Sequence, residues 1–186
     1  MPLSRRYFLH ASVAGGTAAV CGCAPALRDL PITALPAAML EVQRLVQAPQ
    51  LHTRTAWGWA TTMAHLAQSI EYSITGYPQM QSPLFQKTLG RPALALFAWR
   101  GAMRHDLSAP IPGSPPLPPA PPLAWAHQRL HHACLQFLQW RGPLQPHFAY
   151  GALSHAEYEQ AHAMHLANHM AAFDVAPVPP PTHPHG

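Results

Sequence analysis

The chain has 186 residues, of which 48% are apolar and only 10% charged, with 23 prolines and 14 histidines. This length and apolar content suit one domain with a buried core behind a short leader. The net charge of +4 falls to +2 once Arg5 and Arg6 are set aside, and no Lys/Arg run alternates with aromatics, which excludes a nucleic-acid footprint.

Ser4-Arg5-Arg6-Tyr7-Phe8-Leu9 has the pattern of a twin-arginine export signal. The small apolar run at 11–20 is too short to span a bilayer and reads as the core of a leader covering residues 1–26. Its end admits two readings. Val20-Cys21-Gly22-Cys23 resembles a lipobox with Cys23 lipidated, and Ala24-Pro25-Ala26 resembles a peptidase cleavage site. The expected partner is the twin-arginine export machinery. The expected location is the periplasm or, through a lipid on Cys23, the membrane surface. Cys134 is the one remaining cysteine, so no disulfide framework is available within a mature chain.

Residues 25–34 read as an extended tether. A first helix is expected over 36–47, with Pro36 in its first turn and Leu35, Met39, Val42 and Val46 near one face. A second is expected over 56–75, capped by Thr53 or Thr55 and ended by Gly76 and Pro78. Met63, Leu66, Ile70 and Ile74 form its apolar stripe. His65, Ser69 and Tyr72 form a polar stripe beside it, which implies solvent or a lined cavity. Trp57 and Trp59 at its start pack as aromatics or wall a pocket.

Residues 76–91 read as a loop with one helical turn near 84–88, followed by a third helix over 92–105. Eight prolines between 109 and 122 exclude a helix there and make that stretch a stiff connector. A fourth helix is expected over 123–140, carrying His127, His131 and His132, with Leu130, Leu135 and Leu138 as apolar contacts. After a loop over 143–153, Ser154-His155-Ala156-Glu157 matches a capping box and starts a last helix running to about 173. Residues 175–186 read as a disordered Pro/His tail. No strand pattern competes. The fold class is all-α, an antiparallel four-helix bundle over 35–174 with an extra short helix, the Pro-rich connector and disordered termini.

The chemistry-bearing residues are histidines. The seven carboxylates are scattered, so hydrolysis or group transfer would depend on a metal or on His. Two histidines four apart on a helix share a face and can converge on one ion at about 2.0–2.1 Å each. Two pairs have that spacing, His127/His131 and His165/His169. Spacing alone does not choose between them. His155 and His162 read as solvent-facing positions of the last helix.

Three stretches taken together carry a resemblance: WATTMAHLAQSIEYSITGYP at 59–78, PHFAYGALS at 146–154 and HLANHM at 165–170. They resemble the DUF1569 family, which belongs to the DinB/YfiT-like superfamily of helical bundles. The resemblance implies a divalent metal, zinc or nickel foremost, held by three histidines, one on the second main helix and two in a late HxxxH. That pattern falls on His65, His165 and His169 and leaves His127/His131 as bystanders. Family members often carry a second His before the last ligand, where this chain has Asn168. Some superfamily members are thiol-dependent transferases, in which the metal lowers the thiol pKa. Common thiol cofactors are cytoplasmic, whereas this leader points to export. Two functional readings stand: a metal-dependent hydrolase or transferase acting on a small molecule, and a non-catalytic exported metal- or ligand-binding bundle, with or without a lipid anchor.

Overall fold

A computed structural model describes residues 27–175 of the protein. The stretch expected to be a leader, with Arg5, Arg6, Cys21 and Cys23, and the residues from 176 lie outside the described residues. The described chain is mostly helical. None of its helices is long and apolar enough to cross a membrane.

Residues 27–34 form no regular element but are not a free tether. The Arg28 backbone N–H donates to the Ala171 carbonyl at 3.2 Å, and its guanidinium donates to the Met170 carbonyl at 2.9 Å. The same guanidinium pairs with Glu41 at 2.9 Å, and Leu27, Leu30 and Ile32 pack on the core. The segment is a strap across the end of the last helix.

Helix α1 spans Leu35–Val46 and buries Leu35, Ala38, Val42 and Leu45. Its inward face is turned slightly from the expected one, leaving Met39 and Val46 half-buried at its margin. Strand β1, Leu51–Thr53, was not expected. It pairs antiparallel with β2, Phe173–Val175, in the register Leu51 opposite Val175. Three residues per strand are too few to show alternation, and the pairing partner lies more than a hundred residues away.

Helix α2, Trp59–Thr75, starts three residues later than expected because β1 and its turn take the preceding chain. Gly58 stands at its N-terminus without a side-chain cap, so neither Thr53 nor Thr55 caps it. From Thr61 to Ile70 every residue is buried, which makes α2 the central helix. It ends at Gly76, whose φ of 101° suits glycine.

The helical turn expected near 84–88 is part of a longer helical run that begins at 83. Helix α3, Pro83–Phe85, is capped by Ser82, runs through a π-helical turn at Gln86–Gly90 and continues as α4, Arg91–Arg100. A Cβ at Gly90 would stand 1.8 Å from the Ala149 carbonyl oxygen, so the turn presses against the 146–153 loop where only glycine fits. Gly101, at φ 65°, stops α4 five residues before the expected end. Residues 102–122 then run irregularly, and Thr61 Oγ donates to the Pro119 carbonyl at 2.9 Å.

Helix α5, Leu123–Gln139, buries Ala126, Leu130, Ala133, Cys134 and Phe137, whereas Leu135 is exposed. Glu71 and Arg129 join α2 to α5 at 2.6 Å. Helix α6, His155–Met170, opens on the expected capping box, with both reciprocal bonds of Ser154 and Glu157 formed. It stops at Met170, not 173, because the chain turns into β2. Packing joins α2 with α5 and α6, and α1 with α5 and α6.

Candidate metal centre

His65 comes from the middle of α2, and His165 and His169 from consecutive turns of α6. Packing of α2 on α6 brings the three together. One ring nitrogen of each lies within 4.8 Å of the others, a grouping that could hold a metal ion. Ring centroids are 5.2 Å apart for His65–His165, 4.9 Å for His65–His169 and 4.8 Å for His165–His169. His65 and His169 are buried, and His165 is half-buried.

The unmet hydrogen-bonding capacity fits a cation. His65 Nδ1, His165 Nε2 and both ring nitrogens of His169 are buried without a partner. Buried polar atoms in native proteins are almost always paired, so such a cluster on three facing rings is unusual. Ser69, one turn after His65, shares a hydrogen bond with His165 Nδ1 at 3.2 Å and leaves Nε2 to face the cluster. A bond at the far ring nitrogen is how metal-ligating imidazoles are usually oriented. Burial, then the neighbouring rings, pushes His165 and His169 well below the ordinary imidazole pKa. Burial, then His105, lowers His65 to about 4. All three are therefore neutral near pH 7, the form that ligates.

Two residues of the polar stripe of α2, His65 and Ser69 but not Tyr72, line a cavity of about 370 Å³. His65, Ser69 and His165 form part of its wall, and Met103, Ile111 and Phe148 supply apolar cover. Trp57 lies with its ring 5.1 Å from His65, while Trp59 is in the core against Phe173 at 4.9 Å.

Three further histidines reach this region. His105 packs 4.9 Å from His165 and 5.1 Å from His169. It arrives because α4 ends at Gly101, and the expectation of helix through 105 hid it. Its Nδ1 donates to the Asp106 carbonyl at 2.8 Å. The residue is exposed on its outer side, yet its ring lies among protein atoms. Their burial lowers its pKa, and the bond to Asp106 opposes that shift. His162 is 3% exposed, which corrects its reading as solvent-facing. It stacks on Tyr158 and meets Phe137 edge-on. His147, within the PHFAYGALS stretch, lines the same cavity. His155 is also no free surface residue: its Nε2 donates to the Phe137 carbonyl at 3.0 Å.

His127 and His131 sit on α5, with His131 exposed and the two rings 6.2 Å apart, away from the triad. Asn168 is buried beside Arg28 and Met103, in a small crevice on another side of α6. Cys134 is buried in the core, and burial pushes its thiol up to about 12. His183 and His185 lie outside the described residues.

A family model described as "Protein of unknown function (DUF1569)" matches residues 24–175. No curated protein and no solved structure matches the chain.

Proposed function

The chain belongs to the DUF1569 family, and from that premise we propose that it is an exported metal-dependent hydrolase or transferase acting on a small molecule. Its metal ligands are His65, His165 and His169, and the ion is zinc or nickel. The observation that carries this reading is the set of orphaned nitrogens on three buried, converging imidazoles beside an open cavity. Three neutral ligands with a cavity alongside resemble catalytic sites more than sealed structural ones. A divalent ion held there supplies Lewis acidity toward an oxygen or sulfur of the substrate. The protein holds the rings neutral by burial, orients His165 through Ser69, and excludes bulk water with the apolar cover.

The remaining assignments are part of the same proposal. Helices α1, α2, α5 and α6 are the four of a DinB/YfiT-like bundle, which their mutual packing supports. Export through the twin-arginine machinery rests on Arg5-Arg6 and the apolar run after them. Lipidation at Cys23 or cleavage after Ala26 decides whether the protein is anchored or free. The competing reading, a non-catalytic binding bundle, predicts a site sealed by side chains, and the cavity beside His65 and His165 speaks against it.

The test is metal analysis of the purified protein and of His65→Ala and His169→Ala. The proposal expects close to one divalent ion per chain, lost in both variants while helicity is kept. Full metal content in both variants would end the ligand assignment.

A further inference from the structure

The wall of the cavity one turn along α6 from the triad carries polarity that the proposed metal does not use. His162 precedes His165 by three residues, about 4.5 Å along the axis and on the same face. It lines the cavity, and its Nε2 is buried without a partner. His147, on the 146–153 loop, lines the same cavity.

The loop fixes the protonation of His147. Its Nδ1 accepts the backbone N–H of Ala149 at 3.1 Å and of Tyr150 at 3.3 Å. An imidazole that accepts at Nδ1 carries its proton on Nε2. The ring is held on several sides. It stacks on Tyr150 at 4.2 Å and 10°, and packs against Tyr77 at 4.9 Å and Phe148 at 4.6 Å. Paired backbone bonds between His147 and Gly151, at 2.8 and 3.0 Å, close the loop beneath it. The close fit of Gly90 on Ala149 braces the loop from the other side. A donor so placed is preorganised and loses little freedom when a ligand arrives.

We propose that His147 and His162 form a polar subsite for a small neutral carbonyl compound, an amide or ester, whose oxygen accepts from His147 Nε2–H with the His162 ring beside it. The body of the compound lies under Met103, Ile111 and Phe148, and its other end reaches the triad. The compound is neutral at this end because Asp106 is the one Asp, Glu, Lys or Arg among the lining residues, so an anion finds no side-chain cation in the subsite. Burial lowers both subsite imidazoles to about 3, which keeps them uncharged near pH 7. The volume suits a compact ligand. This inference names the substrate class of the proposed function and rests on that reading only for the metal-facing end.

The test uses benzamide, benzoate and toluene as probes, titrated into zinc-loaded and chelator-treated protein. Imidazole ¹⁵N spectra of the wild type report the His147 tautomer directly. The proposal expects protonation at Nε2, a shift of that N–H on adding benzamide, about tenfold weaker binding of toluene, and about tenfold weaker binding of benzoate in chelator-treated protein. His147→Phe should bring benzamide down to the toluene level without changing zinc content. Protonation at Nδ1, no binding of benzamide, equal binding of benzamide and toluene, or benzamide binding that leaves the His147 signal unmoved would each overturn it. If His147→Phe fails to fold, the wild-type spectra still decide. If the protein binds no zinc, the metal reading fails, while the probes in chelator-treated protein still test the subsite.

Discussion

Ser69, through its hydrogen bond to His165 Nδ1, sets which nitrogen of His165 faces the triad. Ser69→Ala is expected to weaken metal affinity about 10–100-fold, the usual cost of losing such an orienting bond, with little change in unfolding free energy. Competition with a chromogenic chelator measures it, and unchanged affinity would show that the hydrogen bond orients nothing. His162 carries a pH prediction. Its folded pKa, about 3, is depressed below the ordinary 6.5 chiefly by burial, so the unfolded chain binds the extra proton between those values. Stability from this residue is full above about pH 6.5 and is lost as pH falls toward 3. Metal-free wild type loses stability over that window through all its buried imidazoles, His147 and the triad included, and His162→Phe should reduce the loss read by urea titration by roughly 4 kcal/mol, whereas an undiminished loss would contradict the assignment. Of the cavity's histidines, the HxxxH pair and His65 were legible through spacing and resemblance. His162 was misplaced because its helix has a polar residue on nearly every face. His147 and His105 were missed because loop geometry, which no periodicity reports, brings them in.

The elements were most legible where local chemistry speaks alone. Ser154 and Glu157 announce the start of α6, and the two reciprocal bonds form as expected. Ser154→Ala should cost about 1 kcal/mol in chemical denaturation. A change below a few tenths would mean that docking of α6, not its cap, sets where the helix begins. Gly76 likewise ended its helix as expected, whereas Gly101 ended α4 as glycine does although the helix was expected to run through 105. What the sequence hid were features made by contact at a distance. The pairing of β1 with β2 displaced the start of α2 and cut α6 short. The π-helical turn at Gln86–Gly90 is paired with the close approach of the 146–153 loop, which no local pattern in either segment encodes.

Taken together, the described chain is a mainly helical domain whose buried α2 and α6 face each other across a histidine cluster. The helical class and the apolar faces were readable because amphipathic spacing persists over long segments. The strap at 27–34 was not, since its anchoring depends on carbonyls at the end of α6. The strap, the short sheet and the ion pairs of Asp174 with Arg28 and Arg54 fasten the segments flanking the main helices to one another. That fastening braces the end of α6 that carries His169. The proposed chemistry requires the three rings to meet at one ion. X-ray absorption on the zinc-loaded protein measures this most directly. Imidazole scattering from three rings at about 2.0–2.1 Å, plus one lighter shell that exchanges with added azide, is the expected result. A shell with fewer than two imidazoles, or one unchanged by His65→Ala, would contradict it.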